Sequence, residues 1–347
     1  MSSSNIYSLG FGLATRNSKK EIIEVFYPNP LLSPSQQLGD AITAVCNTED
    51  EGNGVIELQA ATLARLNQSL TDAGENECAE LLTQLEGSEK SLILCILKED
   101  SAPANVAEAY LKLHLLSHRL IKPHGTCLDG LFAVLHNIAW TNRGAIDLED
   151  LPEAQLKARL NDELLEVMSV DKFPKMSSYV TPKGVRIAHT ARVRLGAYLG
   201  EGTTVMHEGF VNFNAGTEGP AMIEGRISAG VMVGANSDLG GGCSTMGTLS
   251  GGGKEIITVG KNCLVGANAG IGVPLADGCI VEAGLYVTAG TKLELRDNSG
   301  KHIKTCKAVE LSGVQDLLYR RNSLSGGVEC VPLNASVSLN EELHSHN

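Results

Sequence analysis

The spacing of apolar residues changes about halfway along the chain. From Ile187 onward, aliphatic residues recur at every sixth position, a period that fits neither an α-helix nor a half-buried strand. The first series is Ile187, Val193, Leu199, Val205 and Val211, and after a shift of register the second is Ala221, Ile227, Val233 and Leu239, reaching Thr245. The third is Val259, Val265 and Ile271, which steps by four to Leu275, Val281, Val287 and Leu293. A sixfold period predicts a parallel β-helix, in which three six-residue units make one triangular coil.

The first half of the chain shows the mixed pattern of an α/β domain. Short apolar runs predict strands at residues 22–27 and 91–97. Apolar residues at helical spacing predict helices at residues 62–70, 106–120 and 153–168. Asp150 is a suitable N-cap for the last of these helices, and Pro152 suits its first turn.

These patterns divide the chain into three parts. We predict an α/β N-terminal domain over residues 1–175, joined by a linker at residues 172–182 to a left-handed parallel β-helix over residues 176–300. Hexapeptide β-helices wind left-handed, against the usual hand of parallel crossovers. Residues 301–347 depart from the repeat and form a C-terminal segment.

Composition supports the β-helix over its rival, a sandwich of alternating strands. The chain has 38 glycines but only 4% aromatic residues, and 24 of those glycines lie between Gly184 and Gly290. The interior of a narrow coil has no room for rings, and its corners need residues that tolerate unusual backbone angles. Runs of four or five hits at spacing six are hard to reconcile with a sandwich.

Charge and cysteine usage exclude several function classes. The net charge is −12, and residues 1–183, with 15 basic and 25 acidic residues, carry −10 of it. There is no basic stripe for nucleic acid, no signal peptide pattern and no apolar run long enough for a membrane span. Nine scattered cysteines without a C-x-x-C pair fit reduced thiols and a cytoplasmic location, and we expect Cys243 to be buried rather than reactive.

Two pairs of histidines need to be weighed as metal ligands. His114 and His118 lie four residues apart on a predicted helix, but no third ligand accompanies them, so a packed helix face is the better interpretation. His344 and His346 belong to a C-terminal tail that we expect to be frayed. Nothing in the sequence supports metal binding at that tail.

Several strings within the repeat region carry a specific resemblance. They are MHEGFVNFNAG from Met206, IEGRIS from Ile223, MGTLSGGG from Met246, VEAGLYVTAG from Val281, LSG from Leu311 and RRNS from Arg320. Together and in this order they resemble the tetrahydrodipicolinate N-succinyltransferase family in its longer bacterial form. The resemblance is detailed over residues 180–325 and extends to the N-terminal region only in length and general character.

The resemblance implies transfer of a succinyl group from succinyl-CoA to the amino group of L-2-amino-6-oxopimelate, the ring-opened tetrahydrodipicolinate, in diaminopimelate and lysine biosynthesis. Glu224 matches the family's catalytic carboxylate, acting as a general base or as an acyl carrier, and Gly247 matches its oxyanion-side backbone donor. The matching cofactor-binding positions are Arg226, Gly241, Ser244, Ala267, Glu282, Ala283, Gly290, Lys307, Arg320, Arg321, Asn322 and Ser323.

The resemblance also implies a homotrimer with active sites between subunits, to which the C-terminal segment contributes. Glu208 matches a position near the trimer axis, where three copies can hold a divalent cation such as magnesium. Alanine stands at position 191, where some relatives have the aspartate that assists the metal.

Two other functions must be weighed against the transferase. His189 and His207 lie 18 residues apart, one full coil, as in a zinc enzyme of the γ-carbonic anhydrase type, but the next coil offers Gly225 and no third histidine. A non-catalytic β-helix scaffold would bind partners through its flat faces. A scaffold does not predict the glutamate, the arginine and the glycine-rich loop on neighbouring coils.

Overall fold

The computed structural model describes residues 6–46, 52–249 and 255–333. His344 and His346 lie outside these residues, as does most of the glycine-rich loop after Gly247. The contacts divide the chain into two units. Unit 1 comprises Met1–Ile121, Gly125–Pro174 and Ser178–Val180, and unit 2 comprises Lys122–His124, Lys175–Ser177 and Thr181–Asn347.

Unit 1 contains an antiparallel sheet with helices packed on it. Its strands and helices in chain order are β1 (Ser8–Arg16), β2 (Ile22–Phe26), β3 (Leu31–Leu32), α1 (Gln36–Cys46), β4 (Gly54–Glu57), α2 (Ala60–Asp72), α3 (Asn76–Leu85), β5 (Ser91–Leu97) and α4 (Val106–Ser117). The strand order is β2-β1-β5-β4, and β3 also pairs with β1. The apolar faces of α1, α2 and α3 pack with alternate residues of the sheet in one core, so the predicted strands β2 and β5 and helix α2 form as expected.

Helix α4 is buried on every side. Asn105 caps its N-terminus by accepting a hydrogen bond from the Glu108 N–H at 3.1 Å. The helix ends at Ser117 and not at Leu120 as predicted, because Arg119 adopts a left-handed conformation with φ 64°. The N–H groups of Arg119 and Leu120 then close a Schellman motif on the last turn.

His114 of α4 is a core residue. Its Nε2 accepts a hydrogen bond from the Tyr27 N–H at 3.3 Å, and its Nδ1 lies 2.7 Å from the Tyr110 carbonyl oxygen, to which it donates. Burial lowers the pKa of His114 to about 3, so the ring is neutral. Both ring nitrogens have protein partners, which supports the packed interpretation of the His114 and His118 pair.

A second, smaller sheet follows in unit 1. Its elements are α5 (Leu131–Val134), β6 (Ile138–Thr141), β7 (Gly144–Asp147), α6 (Leu151–Leu160) and β8 (Val167–Asp171), with strand order β7-β6-β8. The predicted helix 153–168 is wrong in its second half. Asp162 takes φ 55° and ends α6 in a Schellman motif, after which residues 167–171 pair with β6. Asp150 is at the N-cap position, but its side chain accepts from the Ser18 N–H and makes no cap bond.

Unit 2 is built around a parallel β-helix whose described strands form three faces. Face 1 contains β9 (Arg186–Ile187), β11 (Thr203–Val205), β14 (Ala221–Ile223), β17 (Ser237–Leu239), β20 (Leu264–Val265) and β22 (Ile280–Val281). Face 2 contains β12 (Phe210–Val211), β15 (Arg226–Ile227), β18 (Ser244–Thr245), β21 (Gly270–Gly272) and β23 (Tyr286–Thr288). Face 3 contains β10 (Tyr198–Leu199), β13 (Gly216–Thr217), β16 (Met232–Val233) and β19 (Thr258–Val259).

The inward-pointing series differs from the predicted one at a single place. It continues from Val211 through Thr217 and Ile223, both fully buried, so Ala221 does not begin the second series as predicted. The shift of register is a step of four between Ile223 and Ile227. The series was hidden because a threonine occupies one core position, where its hydroxyl lies 2.6 Å from that of Thr203.

A C-terminal extension continues face 1 beyond the repeats. Its strands are β24 (Lys292–Arg296), β25 (His302–Lys307), β26 (Leu317–Arg321) and β27 (Val328–Pro332). Strand β26 pairs in parallel with β22 and antiparallel with β27. The extension therefore places residues 317–321 on the same face as the last coil of the β-helix. Short 3-10 helices occur at Met176–Ser178, Thr190–Arg192 and Ala308–Leu311.

Candidate functional site

Seven of the fifteen predicted site residues follow the strands of face 1, at the corner between faces 1 and 2, here called the 1–2 corner. Parallel pairing aligns Ile223, Leu239, Val265, Val281 and Tyr319 across face 1. The residues that follow them therefore occupy matching places on successive coils. The first position after these aligned residues holds Glu224, Gly240, Gly266, Glu282 and Arg320, and the second holds Gly225, Gly241, Ala267, Ala283 and Arg321.

Face 2 carries the next two candidates as neighbours. Arg226 and Ser244 lie side by side on β15 and β18, and the Arg226 Nη2 donates a 2.6 Å hydrogen bond to the Ser244 Oγ. They line an open groove of about 660 Å³ together with Arg192, Glu208, Phe210, Gly225, Gly242 and Cys243. Two guanidinium groups in one groove favour an anionic ligand.

Glu224 stands beside small residues. Its side chain is half-buried, and a Cβ placed on Gly241 of the next coil would lie 3.5 Å from its Oε2. Cys243 is packed beneath Gly225, and burial raises the pKa of its thiol to about 12. The expected inert role of Cys243 agrees with this position, since a thiol with such a pKa is a poor nucleophile.

Gly247 lies on the other side of face 2. It follows β18, next to Ser228 and Ala229 of the preceding coil, at the corner between faces 2 and 3. Beyond it the chain leaves the coil as a hairpin, because Thr248 bridges to Ile256 and the Leu249 N–H bonds to the Glu255 carbonyl at 2.8 Å. A strand rises about 3.3 Å per residue, so within one chain Glu224 and Gly247 are separated by the width of face 2, more than about 10 Å.

Gly290 and Lys307 lie at the same corner as Gly247. Gly290 is exposed and follows β23, and the backbone beside it is paired with the start of the Ala308–Leu311 helix through the Ala308 N–H and the Thr291 carbonyl at 2.8 Å. Lys307 immediately precedes that helix and is exposed. The predicted residues thus occupy face 2 and its two flanking corners.

The carboxylate of Glu329, which no sequence motif identified, contacts two residues of the segment Arg320–Ser323. Glu329 is 2% exposed and lies opposite Arg320 in the hairpin of β26 and β27. Its oxygens contact the Arg320 Nη2 at 3.1 Å, the Asn322 Nδ2 at 2.7 Å and the Arg296 Nε at 2.8 Å. Ser323, by contrast, is exposed.

Within one chain, the Glu208 side chain is exposed and lies beside two basic neighbours. The Arg192 guanidinium is 3.7 Å from the Glu208 Oε2, and the His207 Nδ1 is 2.8 Å from the Oε1. The hydrogen bond from His207 and the charge of Arg192 lower the pKa of Glu208. Ala191 provides no oxygen. Arg192 donates its hydrogen bonds to the carbonyl oxygens of Glu208 and Gly209, so one chain presents one ionised carboxylate at the predicted cation position, and the predicted site combines three copies.

The zinc alternative also lacks a ligand set. His189 and His207 do lie on successive coils, with ring centroids 5.2 Å apart. Among the residues that the structure describes, no cluster of three or more His, Cys, Asp or Glu side chains could hold a metal ion. Within the same residues, no helix has the length and apolar character needed to cross a bilayer.

Sequence reasoning missed three residues that shape the site. Arg192 and Phe210 line the groove, and Glu329 holds the C-terminal segment. Coil spacing could have revealed the first two, since residues 192, 210, 226 and 244 are separated by one coil each. No sequence pattern around Glu329 identifies it, because its partners are brought to it by the pairing of β26 with β27.

Comparison with protein families gives two matches. Residues 135–175 match the family model described as the middle region of tetrahydrodipicolinate N-succinyltransferase. Residues 256–289 match the hexapeptide repeat of succinyl-transferase. The likeness therefore includes part of the N-terminal half of the chain, beyond the region in which individual strings suggested it.

Curated relatives cover nearly the whole chain. Proteins named 2,3,4,5-tetrahydropyridine-2,6-dicarboxylate N-succinyltransferase from Pseudomonas putida and Vibrio cholerae are 59% and 54% identical, over 99% and 98% of this chain and 100% and 99% of theirs. A solved structure from Campylobacter jejuni, proposed to be a 2,3,4,5-tetrahydropyridine-2-carboxylate N-succinyltransferase, aligns with TM-score 0.87 at 31% identity. That alignment covers 96% of this chain and 94% of the other.

Proposed function

The chain belongs to the tetrahydrodipicolinate N-succinyltransferase family, and we propose that it transfers the succinyl group of succinyl-CoA to the amino group of L-2-amino-6-oxopimelate. One observation supports this proposal above the others. Residues that are scattered over about 100 positions of sequence, from Glu224 to Arg321, converge on face 2 and its flanking corners through the register of the parallel strands.

The proposed reaction needs a base, an oxyanion donor and cationic groups. The substrate amine attacks the thioester carbonyl, and Glu224 accepts the proton that the amine loses. A backbone N–H at Gly247 stabilises the oxyanion of the tetrahedral intermediate. Collapse of the intermediate forms the amide and releases the CoA thiolate, which takes up a proton. Arg226, held by Ser244, provides positive charge for a carboxylate in the groove.

The separation of Glu224 from Gly247 favours an active site made by two subunits. Because these residues lie on opposite sides of face 2, one bound substrate reaches both only if a second subunit brings its own copy of one of them. The outward column of face 1 supports such an assembly. Four of its seven members are apolar, with Met222 39% and Leu264 38% exposed and Ile280 and Leu318 in the same row, and the others are Arg186, Thr204 and Asp238.

We therefore propose a homotrimer of left-handed β-helices, the hand and assembly typical of hexapeptide transferases. Light scattering should give a mass about three times the 36.6 kDa of one chain. A monomer at all concentrations would contradict the shared active site. We assign no step of the reaction to a metal.

The transferase activity is tested directly with purified protein and succinyl-CoA. Loss of thioester absorbance should require an α-amino dicarboxylate acceptor and should be matched by equal amounts of free CoA and succinylated product. Absorbance is preferable to a thiol reagent, because the protein has nine free cysteines. Acetyl-CoA at equal concentration serves as the control for donor preference. Thioester loss that is independent of the acceptor, or none at all, would refute the proposal.

A further inference from the structure

An aromatic ring fills one place in the outward column of face 2. Strand pairing aligns, one on each successive coil of that column, Phe210, Arg226, Ser244, Gly270 and Tyr286. Gly270 is buried, whereas Tyr286 is 42% exposed. A Cβ on Gly270 would overlap the Cδ2, Cε2 and Cζ atoms of the tyrosine ring. The ring therefore lies over Gly270 and covers it.

The Tyr286 side chain is directed along the column toward Ser244. Adjacent coils are about 4.8 Å apart, and the ring atoms nearest Gly270 include Cζ, the atom that carries the hydroxyl. The hydroxyl end of the side chain has thus crossed from its own coil to that of Gly270, which is the neighbour of Ser244. Any residue other than glycine at position 270 would take the space that the ring occupies.

The groove on face 2 stops where this ring begins. Among the residues that the structure describes, the lining of the groove reaches from Arg192 to Ser244. The next coil contributes Gly270, and the Tyr286 ring covers it. With glycine and no ring at this place, the groove would continue over one more coil, about 4.8 Å. The ring is therefore an end wall of the groove.

The position of this wall decides which chains fit the groove. Ser244, on the last coil before the wall, holds the Arg226 guanidinium with a 2.6 Å hydrogen bond. A guanidinium pairs with a carboxylate at the end of a chain, so the length available to that chain is measured from Arg226 to the Tyr286 ring. In a packed site, one methylene too many reduces kcat/KM about 10- to 200-fold. The ring can therefore select chains by length.

We propose that Tyr286, lying on Gly270, is a specificity-determining residue that sets the length of the carboxylate-terminated chain bound by Arg226. Tyr286 contacts the chain through its ring. Gly270 is a positioning residue, because it acts only by leaving space for that ring. The inference rests on the proposed function, since it takes the groove to be the place of transfer. The chain belongs to the acyl donor or to the acceptor, both of which carry a free carboxylate in the proposed reaction.

Kinetics with two pairs of substrates distinguish the donor from the acceptor. Succinyl-CoA is compared with glutaryl-CoA, one methylene longer, at fixed L-2-aminopimelate, and L-2-aminopimelate is compared with L-2-aminosuberate at fixed succinyl-CoA. Tyr286→Ala removes the wall, so kcat/KM for the longer member of one pair should rise about tenfold or more relative to the shorter. The pair that responds identifies the molecule whose chain meets the ring. Ratios unchanged in Y286A for both pairs would overturn the inference.

Two further variants control for the hydroxyl and for the loss of an exposed side chain. Tyr286→Phe keeps the ring and should preserve the wild-type ratios. Ile303→Ala removes a side chain that is also 42% exposed, from β25 of the C-terminal extension, and should preserve them too. A change in Y286F as large as that in Y286A would assign the effect to the hydroxyl and contradict the wall.

Gly270→Ala tests whether the glycine acts through the ring. The added methyl group must displace the ring, so G270A should shift the same ratio in the same direction as Y286A does. The double variant G270A/Y286A should match Y286A, because no ring is left to displace. Shifts that multiply in the double variant would contradict the positioning role of Gly270. Tyr286→Leu, which is intermediate in size, should give an intermediate ratio and repeats the test if Y286A does not fold.

Binding of free dicarboxylates tests the wall without relying on transfer. Calorimetric titration of wild type and Y286A with glutarate, adipate and pimelate finds the longest chain that each protein binds, and this chain should be longer for Y286A. If wild type shows no acceptor-dependent transfer but the shift is found, the proposed function is refuted and this inference stands. If transfer is normal, the kinetic ratios decide. Without transfer, an equal length limit in both proteins, or no binding to either, would overturn the inference.

Discussion

Arg226 and Ser244 lie on adjacent coils of the β-helix and are joined by a 2.6 Å hydrogen bond from the guanidinium to the hydroxyl. The bond holds the guanidinium along face 2, where it lines the groove. Ser244→Ala should leave the charge and release the side chain. Loss of a bond worth about 1 kcal/mol in positioning predicts about a fivefold rise in KM for one substrate, with kcat little changed.

Steady-state kinetics with each substrate varied in turn would identify which one depends on Arg226. Ser299→Ala, in the exposed turn after β24, is the matched control. A wild-type KM for both substrates in S244A would show that the orientation of Arg226 is set by something other than Ser244.

Glu224→Gln tests the proposed base with the smallest change of shape. An amide cannot accept the proton of the attacking amine, so kcat should fall by about 100-fold or more. Binding of CoA, measured by calorimetry, should stay within about twofold of wild type. Glu201→Gln is the control, because it removes an exposed carboxylate that lies just before β11. Near-normal turnover of E224Q would remove Glu224 from the mechanism.

Subunit mixing tests whether Glu224 and Gly247 of different subunits form one site. Gly247→Val should be inactive, since even a Cβ at this position would lie 2.9 Å from the Ala229 carbonyl oxygen and the valine side chain would displace the backbone there. When E224Q and G247V are unfolded together and refolded as mixed trimers, some sites combine an intact Glu224 with an intact Gly247. Activity should then return to a measurable fraction of wild type. Mixtures as inactive as the two parents would place both groups in one subunit.

The narrow coil makes some glycines irreplaceable for stability. A Cβ on Gly216 would overlap the carbonyl oxygen of Tyr198 on the coil before it, whereas a Cβ on Gly219 would lie 3.5 Å from the Ala235 Cβ and 3.9 Å from the Glu201 carbonyl oxygen, both ordinary contacts. Gly216→Ala should therefore lower the free energy of unfolding by about 2–3 kcal/mol, and Gly219→Ala by less than about 0.5 kcal/mol. Thermal and urea unfolding of both variants would measure the difference. Equal free energies of unfolding for the two variants would mean that adjacent coils can move apart to accept the extra methyl group without loss of stability.

The neutral His114 should make unit 1 sensitive to acid. Its pKa is about 3 in the folded protein and about 6.5 in an unfolded chain, so the unfolded state binds the extra proton. The stabilisation is complete above pH 6.5 and falls by about 1.4 kcal/mol for each unit as the pH drops toward 3. His114→Gln keeps a donor and an acceptor but does not titrate.

Urea unfolding of H114Q between pH 7 and 4 should therefore show a shallower loss of stability than that of wild type. His136→Gln, an exposed histidine of the same unit, is the control and should leave the slope unchanged. Identical slopes for H114Q and wild type would indicate that other groups carry the acid sensitivity, such as the half-buried His118, whose pKa is also lowered by desolvation.

The sequence by itself determined the β-helix. Each face of a coil points one aliphatic side chain into the core, and this produces a six-residue period that neither an α-helix nor an ordinary strand has. It also determined the strands β2 and β5 and the helix α2, whose apolar patterns are regular from end to end. It did not predict where α4 and α6 stop, since Arg119 and Asp162 end them in left-handed conformations usually marked by glycine. Thr217 hid the register of the core, because a polar residue occupies an inward position where only apolar residues were expected. Its hydroxyl pairs with that of Thr203 inside the coil.

Only the tertiary structure decided how the candidate residues are grouped. Sequence motifs named Glu224, Gly247 and Arg320–Ser323 without showing that the first two lie on opposite sides of face 2. The carboxylate of Glu329 was invisible in the sequence, because it is matched to Arg320 and Asn322 by the pairing of β26 with β27. A regular pattern of buried residues specifies a fold from the local sequence alone. The partners of a buried charge instead depend on which strands pair and in what register, and this is set only when the whole unit has folded.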